Sequence, residues 1–306
     1  MREFGRKSQT RTYLIIAIAS FASFSIANLS LWKLFSWITS IDSDSPDDSK
    51  RLSFEELLLF GLDRMTQDEM DVITDLLFVF DAAATSAGVT YFMCFGTLLG
   101  SYRHHGLIPW DDDVDLCVDD RQREALTKAM EDLAPRGYEL LADNPHVWKV
   151  YSTNRSAPIR GRQHRHPFVD LFLYAGGNST EIWVLHPGHA VASRSNVSRV
   201  LPPVRRPFAD LMLFAPRSID HHFSPVDGLK RCASSEYSHK LEAMLPRKGR
   251  TIDCRKLFDI FPFVFRTRSP SGATIEVLMM GNETLGSFVR TAGSGMARLL
   301  STGGNS

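Results

Sequence analysis

The stretch Trp110-Asp-Asp-Asp-Val-Asp-Leu-Cys-Val118 decides the fold, because a run of acids leads directly into an apolar segment. Successive side chains of a β-strand point to opposite faces, so Asp111, Asp113 and Asp115 share one face. Carboxylates placed in this way lie about 7 Å apart along the strand and repel one another. A divalent cation relieves that repulsion, and carboxylate oxygens suit Mg²⁺ or Mn²⁺. The sequence therefore predicts a strand over Asp113–Val118 that carries a metal site.

A glycine-containing turn precedes the acids. Gly96 and Thr97 follow the apolar run Val89–Phe95, which predicts a buried strand, and begin a short helix that extends through Arg103. The start of a helix presents backbone N–H groups that bind phosphate. An acidic run alone also fits a solvated loop, and a lone glycine turn is weak evidence. Together, the turn and the acidic strand favour a site that binds a metal and a phosphate.

The surrounding sequence predicts a domain of alternating helices and strands. The chain has 306 residues, 43% of them hydrophobic, which is enough for a packed core. Thr66 and Glu69 have the spacing of a capping box, and apolar residues recur at helical spacing up to Gly88. Further elements are predicted as a helix from Asp119 or Asp120 to about Leu133 and strands at Val147–Ser152 and Phe168–Tyr174. This order indicates an α/β or α+β fold with a small mixed sheet and flanking helices.

The N-terminal segment predicts a membrane anchor. Tyr13–Trp32 contains no charged residue and has the length of a bilayer span, and the charged residues before it are mostly basic. We expect residues 1–12 to be a cytoplasmic tail, 13–32 a transmembrane signal anchor, 33–65 a stem, 66–265 the catalytic domain and 266–306 a C-terminal extension. A cleaved signal peptide is the alternative. The predicted localisation is the Golgi or endoplasmic reticulum membrane, as a single-pass type II protein with a lumenal domain.

Glycosylation sequons and cysteines are in keeping with that compartment. Sequons begin at Asn154, Asn178, Asn196 and Asn282. Cys232 and Cys254 flank a polar stretch and are the favoured disulfide pair, whereas Cys94 and Cys117 are either buried thiols or a second pair. The formal net charge of zero provides no basic field that would attract nucleic acid, so nucleic acid is excluded as a partner.

The segment Phe95–Leu116, with Gly96-Thr-Leu-Leu-Gly100 and the acidic run, resembles the signature of the LicD/fukutin family. That family includes bacterial phosphocholine transferases and the animal fukutin-related proteins, and its fold is of the nucleotidyltransferase type. A looser resemblance extends over residues 66–265, through Val169-Asp-Leu-Phe172 and the segment that begins at Arg205. The cysteine cluster of fukutin-related protein is not found here, so its oligomer contacts are not carried over.

The resemblance implies roles for individual residues. Asp111, Asp113 and Asp115 would bind the metal, and Asp170 would supply the third carboxylate of the nucleotidyltransferase type, with Asp210 and then Asp259 as rivals. The predicted catalytic residues are Asp113, Asp115 and Asp170. The residues predicted to bind the donor are Gly96, Thr97, Arg103, His104 and Lys149. Packing of the loop is the alternative role for Arg103 and His104, and the basic segment Arg160–His166 is either a surface loop or an anion site.

These observations predict an enzyme that transfers a phosphate-linked group, such as a phospho-alditol or phosphocholine, from a CDP-linked donor to a glycan or glycoprotein. The donor follows from the resemblance alone. A glycosyltransferase with a DxD metal site and a non-catalytic glycan-binding relative are the alternatives. The expected partners are the acceptor, the nucleotide-linked donor and the membrane, and self-association into a homo-oligomer is left open.

Overall fold

The computed structural model describes residues 52–61, 65–219, 222, 230–246, 249–290 and 297–300. The predicted membrane span at residues 13–32 lies outside these ranges. Within them, no helix is both long enough and apolar enough to cross a membrane.

Five α-helices lie in the described ranges: α1 (Phe54–Gly61), α2 (Gln67–Ser86), α3 (Phe95–His104), α4 (Arg123–Glu131) and α5 (Val197–Val200). The predicted capping box begins α2. The hydroxyl of Thr66 accepts from the N–H of Glu69 at 3.3 Å, and the carboxylate of Glu69 accepts from the N–H of Thr66 at 2.8 Å. These bonds satisfy donors that the first turn of a helix leaves unpaired.

The first nine strands are β1 (Tyr91–Met93), β2 (Asp115–Asp119), β3 (Tyr138–Leu141), β4 (Val147–Ser152), β5 (Ala157–Pro158), β6 (Arg165–His166), β7 (Phe168–Ala175), β8 (Glu181–Val184) and β9 (Ser195–Asn196). The central sheet has the order β1-β2-β7-β4-β3, β8 and β9 extend it from β7, and β5 pairs with β6. β2 and β7 are parallel, whereas β1, β4 and β8 pair with their neighbours in antiparallel fashion. The predicted mixed sheet with flanking helices is therefore confirmed.

The two faces of the central sheet have different environments. On one face, α2 and α4 bury their apolar sides against residues such as Leu116 and Leu171. On the other face, Cys117 and Phe172 pack with Val200 of α5. Cys94 and Cys117 are buried free thiols. Because side chains alternate along each strand, residues 115 and 170 lie on this second face.

Ten further strands follow: β10 (Val204–Phe208), β11 (Leu211–Ala215), β12 (Arg231–Ala233), β13 (Tyr237–Ser238), β14 (Ala243–Met244), β15 (Thr251–Asp253), β16 (Phe263–Arg268), β17 (Thr274–Met280), β18 (Glu283–Arg290) and β19 (Ala297–Leu300). The last four form an antiparallel sheet. The boundary predicted at residue 265 falls inside β16, so this sheet joins the predicted catalytic domain to the predicted C-terminal extension.

A second apolar cluster supports the segment that leads into the acids. Phe60 of α1, within the predicted stem, packs edge-on against Trp110 with ring centroids 5.1 Å apart. The indole N–H of Trp110 donates to the carbonyl of Ala233 at 2.9 Å. The favoured cysteine pair, Cys232 and Cys254, forms a disulfide in the same cluster. The chain between these two cysteines contains β13 and β14.

A buried ion cluster connects the last sheet to the rest of the domain. Glu276 of β17 is fully buried and accepts from Arg206 at 2.8 Å and from Arg266 at 3.1 Å. His105, directly after α3, lies 2.9 Å from the same carboxylate. Burial alone would raise the pKa of Glu276, but the charge of Arg206 and the hydrogen bond with His105 outweigh it and hold this pKa well below its ordinary value.

Candidate functional site

Three neighbouring strands bring charged side chains into one row on the second face of the central sheet. Asp115 of β2 lies directly opposite Asp170 of β7, which in turn lies opposite Lys149 of β4. Directly opposed residues of paired strands project from the same face. Asp115 is 8% exposed and Asp170 is 6% exposed. The order of the strands therefore places two buried carboxylates side by side, although they are far apart in the sequence.

Asp111 and Asp113 complete this group from a position before the strand. The strand predicted to start at Asp113 starts at Asp115, so the ladder does not include the first two acids, and the alternation argument is wrong for them. Their charges still meet those of the strands. Burial raises the pKa of Asp111 well above its ordinary value, and the charge of Asp113 raises it further. We call Asp111, Asp113, Asp115 and Asp170 the acid cluster.

The electrostatics of the acid cluster fit a divalent cation. Burial raises the pKa of Asp115 well above its ordinary value, and the charges of Asp113 and Asp170 act in the same direction. Burial also raises the pKa of Asp170, against the opposing effect of Lys149. Buried carboxylates that repel one another gain most from a cation with several open coordination positions, and an all-oxygen donor set suits Mg²⁺ or Mn²⁺. Asp111, Asp113 and Asp115 could hold such an ion.

The start of α3 lies against the acid cluster. A Cβ at Gly96 would be 3.1 Å from a carboxylate oxygen of Asp111, so only glycine leaves that oxygen undisturbed. The hydroxyl of Thr97 accepts a hydrogen bond at 2.7 Å from the backbone N–H of Asp115. Thr97 thereby fixes the start of α3 to the start of β2, and the N-terminal turn of the helix faces the same region as the acids.

The other residues predicted to bind the donor have partners within the protein. The ammonium of Lys149 donates to Asp170 at 2.6 Å and lies 3.9 Å from the ring centre of Phe168. At the far end of α3, one ring nitrogen of His104 accepts from Arg103 at 2.9 Å, and the other lies 2.6 Å from the carbonyl of Pro262. Burial lowers the pKa of His104 well below its ordinary value, so the ring is neutral. The structure thus brings Lys149 into the acid cluster and engages His104 in packing.

Arg103 has contacts both with the packed end of α3 and with the charge of the acid cluster. Its guanidinium is 5.4 Å from the ring centre of Trp110, and its side chain is almost fully buried. Burial lowers the pKa of Arg103 to about 10, while the charge of Asp111 acts in the opposite direction. Arg103 therefore lies close enough to Asp111 for its charge to offset part of the negative charge of the acid cluster.

The rival third carboxylates lie elsewhere. Asp210 is an exposed residue of the turn between β10 and β11, beside a cleft of about 510 Å³ that His105 and Leu278 also line. Asp259 lies against Gly281, near the last sheet. Of the three candidates, Asp170 is the one that shares a ladder position with Asp115.

A hairpin that the sequence analysis did not connect to the site covers Asp112. It comprises β13, β14 and the turn between them, and we call it the 237–244 hairpin. Asp112 is buried and accepts from the hydroxyl of Ser238 at 3.0 Å, from the imidazole of His239 at 3.0 Å and from the N–H of Lys240 at 3.1 Å. Burial alone would raise the pKa of Asp112, but the hydrogen bonds from His239 and Lys240 and the charge of His239 together outweigh it and lower this pKa.

His239 also approaches the acid cluster. Its second ring nitrogen lies 3.4 Å from a carboxylate oxygen of Asp113. Burial alone would lower the pKa of His239, but the hydrogen bond with Asp112 and the charge of Asp113 raise it to about 9. Ligand atoms of Asp112, Asp113 and His239 lie within 4.8 Å of one another, which makes them a second set that could hold a cation. More than a hundred residues separate His239 from these acids, and no local pattern signals such a contact.

Part of the basic segment 160–166 meets the same hairpin. Glu242 lies 3.2 Å from a ring nitrogen of His164 and 3.3 Å from the guanidinium of Arg162. His164 packs edge-on against Phe168, with centroids 4.8 Å apart. Burial lowers the pKa of His164, and the charge of Lys149 adds to that effect. The segment left open as a surface loop or an anion site therefore borders the acid cluster through its middle residues.

The mixed sheet presents paired carboxylates beside the start of a helix, which is the arrangement expected of a nucleotidyltransferase-type domain. Residues 88–218 match the family described as LicD/FKTN/FKRP, nucleotidyltransferase domain, and the family resemblance is thereby confirmed over that segment. The chain is also similar to the lipopolysaccharide cholinephosphotransferase LicD of Haemophilus influenzae, with 37% identity over 117 residues. That alignment covers 36% of this chain and 44% of the relative, so the chain matches less than half of the relative's length.

These findings correct the predicted localisation. The relative is a bacterial protein, and the described part of the chain contains no helix that could cross a membrane. The prediction of a single-pass type II protein of the Golgi or endoplasmic reticulum is therefore wrong. It depended on an apolar segment near the N-terminus that lies outside the described residues.

Proposed function

We propose that this protein transfers a phosphate-linked group, such as phosphocholine or a phospho-alditol, from a CDP-linked donor to a hydroxyl of a glycan, breaking the diphosphate bond of the donor and releasing CMP. The acid cluster would hold a divalent cation for this reaction. The observation that carries the proposal is the register of Asp115 with Asp170 beside the start of α3, within a segment that matches a family with a cholinephosphotransferase among its members.

The residues of the acid cluster would divide the work of phosphoryl transfer. Asp111, Asp113 and Asp115 would hold the cation, which when bound neutralises phosphate charge and polarises the bond that breaks. Asp170 is buried, and its raised pKa makes it a better proton acceptor than an exposed carboxylate. It would take the proton from the attacking hydroxyl, while Lys149 holds its carboxylate in place at 2.6 Å.

The start of α3 would bind the donor phosphates. Cys94, at its N-cap position, makes no side-chain hydrogen bond to the first turn. The backbone N–H groups of this turn and the positive end of the helix dipole would therefore attract a phosphate. Gly96 permits close approach on the side of Asp111. This arrangement would bring the phosphate and the cation together.

A donor panel tests the proposal. The purified protein is incubated with Mn²⁺, an acceptor glycan and CDP-, UDP- or GDP-linked donors, and the glycan is weighed by mass spectrometry. We expect a mass increase equal to a phosphate-linked group with a CDP-linked donor. Transfer of a sugar from a UDP-linked donor, with none from CDP-linked donors, would instead identify a glycosyltransferase.

Asparagine variants test the role of the acids. Asp113→Asn and Asp115→Asn keep the shape of each side chain and remove its charge, so we expect transfer to fall at least about 100-fold because charge stabilisation is lost. The unfolding temperature should be maintained or rise, since repulsion within the cluster decreases. Asp143→Asn, an exposed loop position, is the matched control. Undiminished transfer by both variants would exclude the acid cluster as the reaction centre.

A further inference from the structure

We propose that His239 is a positioning residue that orients Asp113 within the acid cluster. This inference rests on the proposed function, since it concerns the same site. His239 lies on the 237–244 hairpin, outside the segment 88–218 that matches the family. The site would then be completed by a part of the chain beyond the matched domain.

Asp112 fixes the turn of the hairpin. It is the acid of the run 111–115 that does not belong to the acid cluster. Asp112 accepts three hydrogen bonds from three consecutive residues of the hairpin, at 3.0 to 3.1 Å. The backbone carbonyl of Asp112 lies 3.2 Å from a ring nitrogen of His166. The backbone N–H of Asp112 donates to a carboxylate oxygen of Asp111 at 3.2 Å, so Asp112 joins the hairpin to the acid cluster and acts as a latch for the hairpin.

Contacts on both sides of His239 limit the movement of the hairpin. Lys240 pairs with Glu69 of α2 at 2.5 Å. Glu242 lies 3.2 Å from a ring nitrogen of His164 and accepts from the hydroxyl of Tyr237 at 3.2 Å. His239 itself lies between these anchored neighbours, so its imidazole has a defined direction.

The two ring nitrogens of His239 join the latch to the acid cluster. Nδ1 donates to Asp112 at 3.0 Å, and Nε2 points to Asp113 at 3.4 Å. An imidazole fixed by a carboxylate through one nitrogen presents the other in a set orientation, as is common around metal sites. Nε2 would therefore restrain the carboxylate of Asp113 and keep it in the geometry that a cation requires.

Substitution of His239 by asparagine or by glutamine distinguishes the positioning role from a purely structural one. The amide of asparagine takes the place of Nδ1, so His239→Asn keeps the bond to Asp112 and loses the contact with Asp113. The longer side chain of glutamine takes the place of Nε2, so His239→Gln keeps the contact with Asp113. His239→Ala removes both contacts. Leu241→Ala, on the same hairpin, truncates a side chain that is 64% exposed and is the matched control.

Mn²⁺ binding, measured by electron paramagnetic resonance on the full chain, is the main readout. We expect His239→Ala and His239→Asn to bind Mn²⁺ about tenfold more weakly than the wild type, the usual effect of losing a partner of a metal ligand. His239→Gln should recover most of the affinity, and Leu241→Ala should match the wild type. Thermal unfolding of each variant, and its kcat and KM in the transfer assay, complete the set.

The outcomes distinguish this inference from the proposed function. Unchanged or tighter Mn²⁺ binding by His239→Ala overturns the positioning role. Tighter binding would mean that the imidazole only repelled the cation, because its removal would then increase the affinity. If His239→Asn recovers the Mn²⁺ affinity and His239→Gln does not, the positioning role is also overturned. The function of His239 is then to bind Asp112 and hold the hairpin. A wild type that binds no Mn²⁺ overturns the proposed metal mechanism and this inference together. A wild type that binds Mn²⁺ but transfers nothing contradicts only the proposed function.

Discussion

At the scale of single residues, the site depends on small distances around Asp111 and Asp115. Gly96 and Thr97 are adjacent and serve two of these acids in different ways. Thr97 accepts the N–H of Asp115 and sets the position of the helix, whereas Gly96 leaves room for a carboxylate oxygen of Asp111. A change at either position alters the geometry of the acids without touching the hydrophobic core.

Gly96→Ala separates site geometry from stability. The added Cβ would be 3.1 Å from the Asp111 oxygen, so the carboxylate has to move. We expect Mn²⁺ affinity and transfer to fall at least about tenfold, because ligand positions tolerate only small shifts. Alanine favours helices over glycine by up to about 1 kcal/mol, so the free energy of unfolding should stay constant or rise.

The matched helical control for that experiment is Gly61→Ala in α1, where a Cβ would meet no atom within 4 Å. Mn²⁺ titration and urea unfolding of both variants provide the comparison. If Gly96→Ala binds Mn²⁺ as the wild type does, the start of α3 does not border the cation site.

At the scale of elements, the local patterns of the sequence predict most of what positions the site. The capping box at Thr66 predicts the start of α2, and β4 has the bounds predicted for Val147–Ser152. Such signals are local, because caps and alternation depend on neighbouring residues. The parallel pairing of β2 with β7 and the contact of His239 with Asp112 depend on distant segments, and no local pattern encodes them.

The helix α3 also shows how closely one element is fitted to a loop. A Cβ at Gly100 would clash with the carbonyl of Gly106 and lie 3.1 Å from the N–H of Ile108. Both obstacles are backbone atoms, which cannot move aside as a flexible side chain can. Gly100→Ala should therefore lower the free energy of unfolding by about 1–3 kcal/mol, the usual cost of overpacking. Urea unfolding measures this change, and a variant as stable as the wild type would show that the loop can shift.

At the scale of the whole molecule, the buried ion cluster around Glu276 joins the last sheet to β10 and α3. One carboxylate compensates Arg206 and Arg266, both of which are largely buried. Burying charges is costly unless they are paired, and removing one partner leaves the others without compensation. One acidic side chain therefore serves both arginines at the junction between the last sheet and the rest of the domain.

Glu276→Gln should lower the free energy of unfolding by about 3–5 kcal/mol, because two arginines then lose their counter-charge. Urea unfolding at neutral pH measures the loss, and Glu283→Gln, an exposed position on β18, is the control. A loss no larger than that of the control would show that the cluster adds nothing to stability.

The same residue gives the protein a defined response to acid. The pKa of Glu276 is held below its ordinary value of 4.5, so its contribution to stability is present above that value and is lost as the pH falls below it. Between about pH 5 and pH 3, the wild type should therefore lose more stability than Glu276→Gln. Unfolding curves across this interval check the sign, and parallel losses in both proteins would contradict it.

The disulfide between Cys232 and Cys254 encloses the 237–244 hairpin within a separation of 22 residues. The central sheet lies outside this loop and keeps its own core, so cleaving the cross-link removes one restraint on the hairpin without dissolving the sheet. Protein prepared with a strong thiol reductant should consequently turn over poorly while its circular dichroism remains that of a folded chain. Re-oxidation should restore turnover. Preparations with more free thiol should therefore show a lower transfer rate.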